Sequence, residues 1–148
     1  MPGWMPAERL ILYHHVRTRG ASGITALNAE TGAVVWQFDG TEGESHATPV
    51  LVAPGRILHE LWDRVSLYDV ATRTRQWTTR EAAASRNPAV VHGGHIYTFG
   101  GQSGEFLTCL DAANGEVKWT SRIYRGHLVL AGGTLVVLSE AAGQLRLV

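Results

Sequence analysis

The sequence is poor in the residues that staple, charge or anchor a protein. Of 148 residues, one is cysteine and two are methionine, and only 18% are charged, with 13 basic and 13 acidic side chains. A lone Cys109 excludes an internal disulfide framework and any all-cysteine metal site. A net charge of zero argues against a nucleic-acid partner held by phosphate neutralisation and against binding to an anionic membrane surface. Long apolar runs are missing as well. Leu128–Ala131 and Leu135–Leu138 are split by Gly132, Gly133 and Thr134, well short of the roughly 18 residues that suggest a membrane span. Helical periodicity is equally scarce: Glu81-Ala82-Ala83-Ala84 is the best helical tetrad. The opening Met1-Pro2-Gly3-Trp4-Met5-Pro6 offers no basic region and no apolar stretch of signal-peptide length, so the chain as given carries no export signal.

What is present is 45% hydrophobic residues, 17 glycines and five tryptophans. That is enough apolar surface to offset the entropy of ordering, so the chain folds. By length alone it is one ordinary domain, 1–148. The tryptophans refine this. Trp36, Trp77 and Trp119 stand 41 and 42 residues apart, and each closes a copy of one phrase. The copies run Ile24 to Trp36, Val65 to Trp77 and Leu107 to Trp119, and in each an Asn or Asp (Asn28, Asp69, Asp111) precedes the Trp by eight residues. A repeat of roughly 40–45 residues is the period of a four-stranded propeller blade.

Each position of the phrase has a physical role. Ile24/Ala26, Val65/Leu67 and Leu107/Cys109 alternate with Thr25, Ser66 and Thr108, which marks a strand with one apolar face. Leu27, Tyr68 and Leu110 add apolar or aromatic bulk to the other face, as expected where sheets cover a strand on both sides. Asn28, Asp69 and Asp111 can accept backbone N–H groups two or three residues on and so close a turn, with Thr31 and Thr72 in the same turns. Gly32 and Gly115 supply the positive φ the hairpin wants. Arg73 stands at the equivalent place in the second copy; keeping a left-handed backbone there costs about 1 kcal/mol, so the second turn is expected to be distorted or looser. The tryptophans, recurring in every unit, read as packing wedges rather than as a ligand platform.

Two more strands precede each phrase. Gly93-Gly94 and Gly132-Gly133 sit between apolar runs, a strong two-residue hairpin signal. The predicted fold is therefore all-β: a partial β-propeller, WD40-like in general form, of about three and a half four-stranded antiparallel blades. Approximate blades are 8–39 (partial, lacking its first strand), 46–80, 86–121 and 126–148 (partial). Closed propellers have typically four to eight blades. Open blade faces would leave apolar surface and strand edges in water. The expectation is that the missing blades come from the rest of a longer chain or from a second copy.

Candidate chemistry is thin. His92-Gly93-Gly94-His95 places two imidazoles across a tight hairpin, but zinc needs a third or fourth donor, and solvated turn histidines are the better reading. His14 and His15 point to opposite faces of a strand and cannot chelate together. Asp69 and Asp111, imagined as an acid–base pair, recur at equivalent positions and so belong to turns. Gly100-Gly101-Gln102-Ser103-Gly104 lacks the following helix that a phosphate loop requires. Cys109 lies on an apolar strand face and reads as an inert thiol. No catalytic residue, metal site or cofactor is assigned. One positive feature remains: Arg64, Arg73, Arg75 and Arg80 cluster in sequence around the second turn, a candidate basic patch for an acidic partner.

The phrase apolar strand, Asp, two residues, Thr-Gly, three residues, Trp resembles the PQQ-like, or quinoprotein-type, β-propeller repeat. The resemblance covers roughly residues 8–148. Within that superfamily the chain looks like the stand-alone propellers related to BamB, the lipoprotein of the outer-membrane β-barrel assembly machinery, notably at Gly126–Leu130, Leu135–Glu140 and Gly143–Leu145. The resemblance implies a non-catalytic module for protein–protein binding or scaffolding in cell-envelope protein assembly. It implies an extracytoplasmic full-length protein and an unidentified protein partner, with no nucleic acid and no membrane insertion. One alternative is a fragment of a PQQ-dependent quinoprotein dehydrogenase. Those enzymes use pyrroloquinoline quinone beside calcium in an eight-bladed ring, typically with a disulfide of adjacent cysteines, for which the single Cys109 cannot serve. Another is the sensor propeller of a membrane Ser/Thr kinase.

Overall fold

The computed structural model describes residues 3–5, 9–16, 21–42, 48–80, 82, 87–100, 106–123, 126–139 and 145–147. Among these residues there are fifteen strands in four sheets and no helix, hence no helix long and apolar enough to cross a membrane. The first sheet holds β1 (Gly3–Met5), β2 (Leu10–Val16), β3 (Ala21–Asn28) and β4 (Val34–Glu42). The second holds β5 (Val50–Ala53), β6 (Arg56–Glu60), β7 (Val65–Asp69) and β8 (Thr74–Thr79). The third is β9 (Val90–His92), β10 (His95–Gly100), β11 (Phe106–Asp111) and β12 (Val117–Arg122). The fourth is β13 (Gly126–Ala131), β14 (Thr134–Ser139) and β15 (Leu145–Leu147). Every sheet is an antiparallel meander in chain order. The first strands β1, β5, β9 and β13 approach one another in turn, so the sheets fan out from a shared line, as the blades of a partial propeller do.

Local chemistry explains the turns. Gly93 and Gly94 both have positive φ (57° and 77°), as do Gly132 and Gly133 (56° and 80°). Two successive left-handed residues make the tight turn whose twist matches that of the flanking strands. The first sheet differs from expectation. The sequence suggested a first unit starting at residue 8 without its first strand, yet Gly3–Met5 pairs with Leu10–Leu12 and completes four strands. Three residues are too few to show an alternation, so pairing with an already formed strand decides their state. Arg73 also departs from expectation. Its φ is 58°, the left-handed value of the glycines it replaces, so the turn keeps its shape and bears the strain instead of loosening.

A simple register governs how the sheets meet. In the second strand of each sheet, counting starts at the residue paired with the Asx: Leu10 with Asn28, Arg56 with Asp69, His95 with Asp111. Thr134 takes that place in the fourth sheet, following Gly132-Gly133 as His95 follows Gly93-Gly94. Residues one and three positions on face the preceding sheet; residues two and four positions on face the next. Three apolar clusters result. Leu12, Ile24 and Ala26 pack with Ile57 between the first and second sheets. Leu58 and Leu67 meet Ile96 and Leu110 between the second and third. Phe99 and Leu107 meet Val137 between the third and fourth. Burying each such aliphatic side chain contributes about 1.5–3 kcal/mol. Among the described residues no cluster joins the fourth sheet to the first. The arc is open.

Candidate functional site

The residues of the repeat phrase lie at the turns between third and fourth strands. Asn28 Oδ1 accepts the backbone N–H of Glu30 (2.9 Å) and of Thr31 (3.0 Å). Asp69 Oδ1 accepts the Thr72 N–H (2.9 Å) and the Thr72 hydroxyl (3.0 Å). Asp111 Oδ1 accepts the Ala113 N–H at 2.8 Å, while Lys118 Nζ stands 3.1 Å from its other oxygen. These backbone bonds hold both carboxyls below their ordinary range. Asp69 and Asp111 belong to different sheets and each is occupied with its own turn. Acid–base pairing between them has no geometric support.

The three tryptophans have three environments. Trp77 donates its indole N–H to Ala112 O of the third sheet (3.2 Å). Its ring lies against Gly115, where a Cβ would come within 2.5 Å of it. Gly115 is thus a seat that only glycine can form. Trp36 and Val70, the counterpart of Ala112, pack against the same apolar cluster, but the counterpart of Gly115 is Arg73. Beside Trp36 lies a small cleft of about 10 Å³, lined also by Phe38 and Tyr68, whose rings meet edge to face at 5.0 Å. That is room for about one water molecule, far from a ligand pocket of about 300–1,000 Å³. It reads as imperfect packing of Trp36 and Phe38 against the second sheet. Trp119 is 41% exposed, with Tyr97 at 6.0 Å between ring centroids.

The register splits the arginines. Val65 pairs with Thr79 and Asp69 with Thr74, so Arg64 and Arg80 flank one end of the β7–β8 hairpin while Arg73 and Arg75 occupy the other. At the first end Arg64 Nε donates to Asp63 Oδ1 (2.8 Å), and that bond, with Arg80 also nearby, lowers the Asp63 carboxyl. The structure presents two separate pairs rather than one patch.

The histidines also divide. His92 and His95 are cross-strand partners, and His95 Nδ1 is 3.0 Å from Gly93 O. Among the described residues no three His, Cys, Asp or Glu side chains converge as metal donors. His15 lies on the open face of the first sheet, 3.1 Å from Thr25 Oγ1 and 3.5 Å from Gln37 Nε2. His14 faces the second sheet, 5.2 Å from His59 between ring centroids. Cys109 is buried, and burial is the main cause that pushes its thiol up. Of the glycine-rich segment 100–104, residues 101–104 lie outside the described residues.

Two buried groups escaped the sequence. His59 is fully buried with neither ring nitrogen hydrogen-bonded; burial, then the neighbouring His14, holds its imidazole down at about 3. Glu60 is 2% exposed. It accepts the Thr98 hydroxyl on Oε1 and the Ala89 N–H on Oε2 (3.0 Å). Burial outweighs those bonds and raises its carboxyl to about 7. Both sit in the register described above. The fourth position of one sheet meets the third of the next as His14–His59, Glu60–Thr98 and Phe99–Val137. One architectural slot is filled by three different chemistries.

No curated protein matches the sequence. Solved structures match widely in fold. BamB from Moraxella catarrhalis superposes with a TM-score of 0.73 at 18% identity, covering 99% of this chain and 45% of that one. The computationally designed Ika4 protein gives 0.65 at 11% identity, covering 94% of this chain and 84% of the design. A europium-containing methanol dehydrogenase gives 0.58 at 13% identity, covering 80% of this chain and 24% of the enzyme. The chain thus spans less than half of the BamB structure. The family described as outer membrane protein assembly factor BamB matches residues 12–125 and again 61–147. With its repeated Asx turns, tryptophan wedges and radiating four-stranded sheets, the chain belongs to that family of PQQ-like β-propeller repeat proteins.

Proposed function

We propose that the chain is a non-catalytic binding module that presents blade rims and strand edges to a protein of cell-envelope assembly, outside the cytoplasm. The observation that carries this reading is the double family match over residues 12–147. It is supported by how the conspicuous polar residues are used. Asn28, Asp69 and Asp111 close turns, and Glu60 ties two sheets together. Recognition then falls to the rims and to sheet edges open to β-augmentation. On the second sheet's rims, Asp63 tempers the Arg64/Arg80 end, leaving Arg73 and Arg75 as the pair that would meet an acidic partner.

The test is surface plasmon resonance against the purified periplasmic region of the β-barrel assembly machinery. Reversing Arg73 and Arg75 to Glu is expected to weaken binding about tenfold, and reversing Arg64 and Arg80 to change it little. No binding by the wild-type chain contradicts the assignment.

The dehydrogenase likeness favours one other reading, a fragment of a quinone-dependent enzyme. The residues present do not fit that cofactor. The single Cys109 is buried beside Tyr97 and Trp119 in the sheet ladder, and no cluster of three metal donors exists among the described residues. A saturable absorbance change on titration with pyrroloquinoline quinone and calcium would restore the enzyme reading.

A further inference from the structure

The inter-sheet register leaves two positions unmatched, one at each end of the arc. In the first sheet the third position, which would meet a preceding sheet, is Tyr13, 44% exposed. In the fourth sheet the fourth position, which would meet a following sheet, is Leu138, 38% exposed. Each lies on a face that carries several apolar side chains. Val129 is 45% exposed and shares the open face of the fourth sheet with Val136 and Leu138 by cross-strand register. On the first sheet, Tyr13 shares its face with Ile11 and Leu27, and Thr25, polar as it is, is already buried against His15. The two faces differ in character: that of the first sheet also carries His15, Thr25 and Gln37.

We propose that a second copy of this chain covers both faces, seating Leu138 of each copy against Tyr13 of the other and closing a ring of eight sheets. Four observations converge on this occupant. The three internal slots each join a fourth position to a third, and Leu138 with Tyr13 continues that series in order. The unmatched positions lie at opposite ends of one chain, so a head-to-tail contact uses both at once and closes when repeated twice. The chain spans 45% of a BamB chain, so two copies supply about one such length, and eight sheets fall within the range of closed propellers. The formal net charge is zero, so two copies approach without net repulsion. This proposal does not depend on which protein the rims bind: a closed pair could still have any rim partner.

The test is the mass of the full chain in solution, by light scattering across a concentration series. The proposal expects twice 16.1 kDa; a monomer at all concentrations, or an open ladder of larger species, overturns it. Tyr13→Asp and Leu138→Asp sit at exposed positions, so folding can be checked by circular dichroism. Each alone is expected to weaken association at least about tenfold, consistent with burying a charge at an apolar contact. Mixing the two variants restores one intact contact and should recover dimers at concentrations where neither forms them alone. A Tyr13→Asp variant that still dimerises as the wild type does would show a contact of sheet four on sheet four and sink the head-to-tail arrangement. In the Tyr13→Cys/Leu138→Cys variant, mild oxidation should yield a covalently closed dimer.

Discussion

The interface between the second and third sheets and that between the first and second are built to the same plan and finished differently. In the former, Trp77 rests on Gly115, its indole N–H is hydrogen-bonded, and the buried Glu60 has partners on two segments. In the latter, the turn of the second sheet carries Arg73 in place of glycine, a small cleft lies beside Trp36, and the slot holds His59 with both ring nitrogens unbonded. The backbone template is shared, so the difference lies in a few side chains. A repeat keeps its shape when single positions drift, and the drift shows up as local packing quality.

The largest expected effect lies in the pH dependence of the two slots. His59 has a folded value of about 3 against 6.5 unfolded. Its contribution is complete above pH 6.5 and is lost as pH falls toward 3, at most about 5 kcal/mol. Glu60 has the opposite sign, with about 7 folded against 4.5 unfolded. Its contribution is complete below pH 4.5 and lost as pH rises through 7, at most about 3 kcal/mol. Between 4.5 and 6.5 the two slopes oppose each other, so chemical denaturation should show a plateau there and a steep loss below it. Glu60→Gln removes one slope, and stability should then climb from pH 3 to 6.5. A wild-type profile that falls steadily across the plateau contradicts the burial of one or both groups.

Next in size is the contrast between two glycines with the same backbone. Gly115→Ala combines a positive φ of 77° with contact against the Trp77 ring, and should cost about 3 kcal/mol in urea unfolding. Gly32→Ala has a φ of 70° and nothing within 4 Å of its Cβ, so the backbone alone should cost about 1 kcal/mol. Equal losses would mean that the Trp77 seat contributes nothing.

Smallest is the repair of the weaker interface. Arg73→Gly relieves the left-handed strain and opens a seat like that of Gly115, so it should stabilise the chain by about 1 kcal/mol, read as a higher urea midpoint. Loss of stability in this variant would show that the arginine side chain makes up for its strained backbone.

What the sequence disclosed follows from how local each signal is. Asx, glycine and tryptophan act within one hairpin, so their spacing alone exposes the repeat and the all-β fold. The double-glycine turns are equally local. His59 and Glu60 could not be recognised that way, because their burial depends on which sheet lies against each face of β6. The four arginines looked contiguous because sequence spacing ignores the antiparallel register that sends Arg64 and Arg73 to opposite ends of a hairpin. Gly3–Met5 is a strand only because β2 offers it an edge.

The central claim is that Trp77 is a wedge seated on the glycine turn of the next sheet. A double-mutant cycle between Trp77→Phe and Gly115→Ala, read by urea unfolding, tests it most directly. A smaller ring should tolerate the added methyl better, so the two losses should fall short of additive by about 1 kcal/mol, while Trp36→Phe and Gly32→Ala should simply add. Additivity within about 0.3 kcal/mol at Trp77 and Gly115 would contradict the account.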